Sequence, residues 1–241
     1  MAGFRPLLAA SLIPLALPAA AQADSFTPAQ RQEIVQIMRQ ALKSDPSILA
    51  DAITALRAKS EDDETASQQA ALAAQRGKLD NTPGDAVIGN PHGSVTLYEF
   101  YDPRCPWCRR MVGDVEKLAR TNPDLRIVLK LIAILGPAST LDGRAILAAA
   151  NQNAYAAMQR ALMTDSAEPS AARIRQIAIG LHLDADRLAA DMDSPTVTAA
   201  LDAQRALATS LRISGTPTFI EGSRIAPGAM SAEDLAKFIK G

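Results

Sequence analysis

Cys105 and Cys108 are the only cysteines in the chain, and Pro106 and Trp107 separate them. Thiols at this spacing can close into a disulfide with each other, donate that disulfide to another protein, or take the electrons back. As a mere structural clip the pair would achieve little, because so short a loop hardly constrains an unfolded chain. Thiolates also suit Cu(I), so a thiol metallochaperone is the alternative to a redox enzyme. A four-ligand zinc site drawing on His92 and His182 lacks the local histidine spacing such sites show. No metal site and no bound cofactor are assigned.

The elements around the pair must hold it in place. Before it, the apolar run Val95–Tyr101 reads as a buried strand; after it, residues 111–119 read as an amphipathic helix. Glu99 is a lone acid in that apolar strand, six residues before Cys105, a position that calls for a partner or a functional cavity. Residues 125–135 read as a second buried strand interrupted by Lys130, a candidate ion partner for Glu99; the alternative is that both side chains face solvent. From 139 to about 212 the apolar spacing is helical, with Asp184 as an N-cap. Ser214-Gly215-Thr216-Pro217 ends that block, Thr218-Phe219-Ile220 and Arg224-Ile225-Ala226 form a hairpin, and Met230-Ser231 opens a last helix.

Residues 26–79 read as three helices without chemistry. Thr27-Pro28-Ala29-Gln30 is a capping box with proline in the first turn, Asp45-Pro46 repeats the start, and Ser60 precedes an acidic turn, Glu61 to Glu64. Their apolar stripes are too narrow for a core of their own, so they pack on the main domain or on another copy of the chain. Residues 81–84 form a turn-rich linker.

At the start, Arg5, the apolar stretch 7–17 and Ala21-Gln22-Ala23 have the form of a cleavable secretory leader, giving residues 1–23 as signal peptide. The apolar stretch is too short to span a bilayer. Export would put the thiols in a compartment that permits disulfides, the periplasm. Loss of the leader removes Arg5 alone, and 24 basic side chains then face 26 acidic ones. That balance excludes a nucleic-acid partner, which needs a basic face. With 48% hydrophobic but only 4% aromatic residues, the core is built from Ala, Leu, Ile and Val.

The order strand, Cys-containing helix, strand, helical block, hairpin, helix, together with Glu99-Phe100, Cys105-Pro106-Trp107-Cys108 and Gly215-Thr216-Pro217-Thr218-Phe219, resembles the DsbA-like thioredoxin superfamily of exported disulfide oxidoreductases. The N-terminal helices make the chain most similar to the ScsC-type branch. The resemblance implies an α/β thioredoxin-like fold over 85–240 with a helical insertion at about 139–212, preceded by an N-terminal helical extension, 24–79, that serves as a candidate oligomerisation arm. It implies an enzyme that oxidises, reduces or isomerises disulfides of exported cysteine-containing proteins and exchanges electrons with a membrane redox partner. The branch is also associated with copper tolerance. In such a fold Cys105 sits at a helix N-terminus, where negative charge is favoured and Arg104, Arg109 and Arg110 add to the effect. Cys105 is then the exposed nucleophile and Cys108 the buried resolving thiol. By the same resemblance Pro217 is cis and lies against the cysteines, Thr216 pairs with substrate backbone, Glu99 moves protons, and Trp107 tunes the site and touches substrate.

Overall fold

The computed structural model describes residues 26–240, so the expected leader, 1–23, lies outside the described residues. These fall into two compact units, one ending at Lys59 and the other beginning at Ser60.

In the first unit, α1 (Pro28–Ser44) starts as its capping box dictates: the Thr27 side chain accepts from the Gln30 backbone N–H, and the Gln30 side chain accepts from that of Thr27. None of its residues is buried. The following helix, α2 (Ser47–Leu79), is continuous, so the two helices expected on either side of Ser60 are one. No proline or glycine interrupts it around Ser60, and an acidic run without a breaker does not by itself start a new helix. The portion of α2 from Ser60 belongs to the second unit, where Leu72 and Leu79 are buried.

The second unit is built on a five-stranded sheet in the order β1-β3-β2-β4-β5: β1 (Ala86–Gly89), β2 (Val95–Tyr101), β3 (Leu125–Leu131), β4 (Thr218–Glu221) and β5 (Arg224–Pro227). Only β2 and β3 pair in parallel. A parallel pair needs a crossover, and α3 (Pro106–Thr121) supplies it. Between β3 and β4 come α4 (Pro137–Ala150), α5 (Tyr155–Thr164), α6 (Ala171–Gly180), α7 (Ala185–Met192) and α8 (Pro195–Ser210), the expected helical insertion; α9 (Ala232–Phe238) ends the described chain. Strand β3 stops at Leu131 and not at 135, because the backbone N–H groups of Ile134 and Leu135 turn to donate to the Asp102 carboxylate at 2.7 and 3.0 Å.

Alternation along the strands sorts the core into two layers. Leu97 and Tyr101 of β2 pack with α3, the inserted helices and α9 on one face. Tyr98 and Phe100 pack with Leu72 and Leu79 of α2 and with Leu207 and Leu211 on the other. This sorting overturns the expected Glu99–Lys130 pair. The parallel register sets Glu99 opposite Leu129 and Phe100 opposite Lys130, so the lysine lies on the face that Glu99 does not. Fully buried there, its ammonium donates to both carboxylate oxygens of Asp85 at 2.6 and 2.7 Å and to the Thr82 hydroxyl at 3.3 Å. Gln204 of α8 donates to the same carboxylate at 2.7 Å. Burial lowers the Lys130 pKa, and the Asp85 hydrogen bond opposes that shift. The network fastens the 82–85 linker and α8 to the back of the sheet.

Removing one member of such a pair strands the other. Lys130→Met should lower the unfolding free energy by about 3 kcal/mol in urea titrations, and Lys130→Met/Asp85→Asn should recover part of that loss. Equal losses in the single and double variants would show that the pair is energetically idle.

Candidate functional site

Cys105 is the N-cap residue of α3, with extended backbone (φ −65°, ψ 120°) and Pro106 as the first helical residue. Proline is tolerated there because an N–H at that position has no intrahelical partner. One buried carboxylate fixes the approach to the helix. Asp102 accepts from the Arg104 backbone N–H and the Ser139 hydroxyl, both at 2.7 Å, as well as from Ile134 and Leu135, while its own carbonyl accepts from the Cys105 N–H at 3.1 Å. Asp102 therefore binds the cysteine loop to the β3–α4 connection. The sequence reading assigned it no role; its place between the end of a strand and a C-x-x-C was the available signal.

From the other side comes the turn before β4. The Thr216–Pro217 peptide bond is cis, and the Thr216 carbonyl oxygen lies 3.2 Å from the Cys105 Sγ, positioned to accept from the thiol. This contact follows from the sheet: β2 and β4 run antiparallel with Phe100 opposite Thr218, so the chain leaving β2 toward Cys105 meets the chain entering β4 from Thr216. The Thr218 hydroxyl donates to the Gly215 carbonyl at 2.8 Å, and the Pro217 carbonyl accepts from Gly228 at 2.8 Å, which holds the turn.

Both cysteines are free thiols. The expected exposed Cys105 is in fact nearly covered, at 4% exposure against 0% for Cys108, because the Thr216 turn lies on it. Trp107 is the exposed residue of the motif, at 54%. The Arg110 guanidinium stacks 3.8 Å from the centre of its ring. Burial pushes the Cys108 pKa well above the usual thiol range, and the nearby charge of Glu99 adds to the effect.

Glu99 shares its face of the sheet with Leu97 and Tyr101 and is buried. Among the described residues it makes no hydrogen bond or ion pair, and burial alone pushes its pKa up to about 8. Two tyrosines share its surroundings. The hydroxyls of Tyr101 and Tyr155 lie 2.8 Å apart; burial raises both pKa values and the charge of Glu99 adds to each, while the hydrogen bond between them raises that of Tyr101 and lowers that of Tyr155. Tyr155 comes from α5, so the insertion supplies part of this wall; in the sequence it was legible only as an apolar stripe. His92 and His182 do not join the site, and among the described residues no group of three or more His, Cys, Asp or Glu side chains is arranged to hold a metal ion.

Against known proteins, the model of the DSBA-like thioredoxin domain matches residues 96–240. The chain belongs to this family of thiol–disulfide oxidoreductases. Among solved structures, a thioredoxin-like oxidoreductase from Silicibacter pomeroyi is 38% identical with a TM-score of 0.64, over 67% of this chain and 94% of that one. A linker-deletion mutant of ScsC from Proteus mirabilis is 26% identical with a TM-score of 0.66, over 90% and 96% of the two chains, which supports the ScsC-type branch. A curated relative described as the Na(+)/H(+) antiporter NhaA of Herminiimonas arsenicoxydans is 31% identical over 143 residues, 58% of this chain. The chain spans about a quarter of the length of the curated relatives it matches, 23% and 24%. Among the described residues no helix is long and apolar enough to cross a membrane.

The raised pKa of Glu99 has a thermodynamic consequence. Between the ordinary value, 4.5, and about 8, the folded chain keeps a proton that the unfolded chain has released. Stability from this group is therefore complete below the lower value and is lost as pH rises through the upper one. Relative to Glu99→Gln, the wild type should lose about 1.4 kcal/mol per pH unit across that window. Urea titrations of the reduced proteins at several pH values would measure it, and a pH-independent difference would contradict a buried, proton-holding Glu99.

Proposed function

We propose that the chain is an exported enzyme of thiol–disulfide exchange that acts on cysteines of other periplasmic proteins through Cys105-Pro106-Trp107-Cys108. The observation that carries this reading is the contact of the Cys105 Sγ with the carbonyl of Thr216, next to a cis-proline, at the start of a helix. In the oxidising direction a substrate thiolate attacks the Cys105 sulfur of the Cys105–Cys108 disulfide. A mixed disulfide forms and Cys108 leaves as a thiolate, which takes up a proton. A second substrate thiolate then attacks the substrate sulfur of the mixed disulfide and releases Cys105, so that two electrons have passed from substrate to enzyme. Reduction is the same sequence reversed, and isomerisation joins attack by Cys105 to release by a different substrate thiol.

The burial of Cys108 favours its role as the resolving thiol, held protonated until needed. Glu99, with a pKa near working pH, is the group that gives and takes that proton. Substrate backbone pairs at Thr216 beside Pro217 as an added strand, and the exposed ring of Trp107 touches the substrate's apolar side chains. A membrane redox partner resets the cysteines, and its potential sets the direction of flow.

We also propose that the helices ahead of the catalytic domain join copies of the chain. Ile34, Met38, Leu42, Ile53 and Leu56 are all exposed, and α1 buries nothing. Apolar rows of this length on a soluble protein mark an interface, and a second copy brings the same row.

Cys108→Ser should trap a mixed disulfide with scrambled, disulfide-containing substrate protein, visible as a higher-mass band that dithiothreitol removes, whereas Cys105→Ser should trap none. A stable adduct on Cys108 in the latter variant would reverse the assigned roles. Alkylation trapping in cells reads which redox state the pair is kept in, and hence the direction. Light scattering should give the chain lacking its leader a multiple of the monomer mass, with Ile34→Lys/Met38→Lys reducing it to one; a monomeric parent chain would remove the oligomer proposal.

A further inference from the structure

We propose that Arg104, Arg109 and Arg110 form a carboxylate-reading surface beside Cys105, which makes the enzyme prefer cysteine segments flanked by Asp or Glu. The inference rests on the exchange chemistry proposed above and adds to it a substrate class. Arg104, Pro106, Arg109 and Arg110 line an open hollow, and Arg104 and Pro106 are the chain neighbours of Cys105, so the side chains flanking a substrate cysteine docked at Thr216 are proposed to lie over these guanidinium groups.

The positive charge is fixed in place but poorly neutralised. Arg104 has one carboxylate partner, Asp142, at 3.4 Å. That carboxyl is fully buried, its Oδ1 has no hydrogen-bond partner among the described residues, and burial raises its pKa in spite of the arginine. It is a weak counter-charge. The Arg109 guanidinium donates to the backbone carbonyls of Leu162 and Asp165, which orient it without cancelling its charge. Burial and then repulsion from Arg104 lower the Arg109 pKa, and the opposing charges of Asp142 and Asp165 do not reverse that direction.

Arg110 has no carboxylate within ion-pair range among the described residues and lies over Trp107, presenting cation and ring together. Two other acids near the loop are already committed. Asp102 is engaged by four donors, and the Asp165 carboxylate is held by Arg173 at 2.7 and 3.0 Å. Planar guanidinium groups held in this way bind carboxylates by paired hydrogen bonds, which a free lysine does not reproduce.

The test uses the full chain without its leader, in the oxidised state, and reduced peptides of one length whose single cysteine is flanked by Asp and Glu, by Asn and Gln, or by Lys and Arg. Each exchange rate, followed by fluorescence of the only tryptophan, Trp107, is divided by the same peptide's rate with a small neutral disulfide, which removes differences in thiol reactivity. The normalised rate should be at least about tenfold higher for the acidic than for the basic peptide at low salt and should converge at high salt. Arg110→Gln, an exposed position, and Arg104→Gln should each shrink the ratio several-fold. A ratio between peptides is the readout because altered Cys105 reactivity would cancel from it. Normalised rates within about twofold of one another, or a ratio unmoved in both variants, would overturn the carboxylate surface while leaving the exchange function intact. No exchange with any peptide would overturn that function, and this inference with it.

Discussion

The pairing of β2 with its two neighbours is the constraint on which the rest of the site depends. Its antiparallel partner, β4, is entered from Thr216, and β2 itself leads to Cys105, so the Phe100–Thr218 register sets the distance between the thiol and the Thr216 carbonyl. Its parallel partner, β3, forces a crossover, and α3 as that crossover begins at the cysteine. A slip of one residue on either side would turn every β2 side chain to the other face, taking Glu99 out from beneath the redox helix.

The polar groups buried around this sheet obey a division that hydrogen bonding enforces. On the back face, Lys130 is balanced by Asp85 and supported by Thr82 and Gln204. Beside the cysteines, Asp102 is saturated by donors from three segments of chain. Both arrangements pair the charges they bury and so hold segments together, although the Gln204 Oε1 is left without a hydrogen-bond partner among the described residues. Glu99 departs from this pattern, as the Oδ1 of Asp142 does: it is a carboxyl kept in the interior with burial as the one cause of its raised pKa. An acid left in that condition holds its proton up to a raised pKa, and the proposed exchange chemistry uses a group of this kind.

The inserted helices contribute more than bulk. Tyr155 of α5 meets Tyr101 of β2 across the interior, and the carbonyls of Leu162 and Asp165 orient Arg109 of the redox helix. Asp142 of α4 backs Arg104. The thioredoxin-like core sets out the thiols, and the insertion sets the electrostatic surroundings that a substrate meets.

Local signals carried much of this. Two cysteines two residues apart, a proline after the first, an apolar run ahead of them and a Thr-Pro before a short hairpin specify thiol chemistry at a strand-to-helix junction, because caps, breakers and alternation act over a few residues. The Thr27 capping box and the Asp184 cap are of the same kind. Tertiary structure decided the rest. Which face Lys130 occupies depends on pairing register, and its partner, Asp85, lies in a linker 45 residues earlier. That Cys105 is covered depends on a turn 111 residues later. The continuity of α2 through Ser60 went against an acidic run that reads as a start, since such a run is as compatible with a helix interior as with its first turn. The sequence by itself determined the reactive groups and the elements that bear them. Only the fold decided which groups meet, because those contacts join residues whose local preferences carry no information about one another.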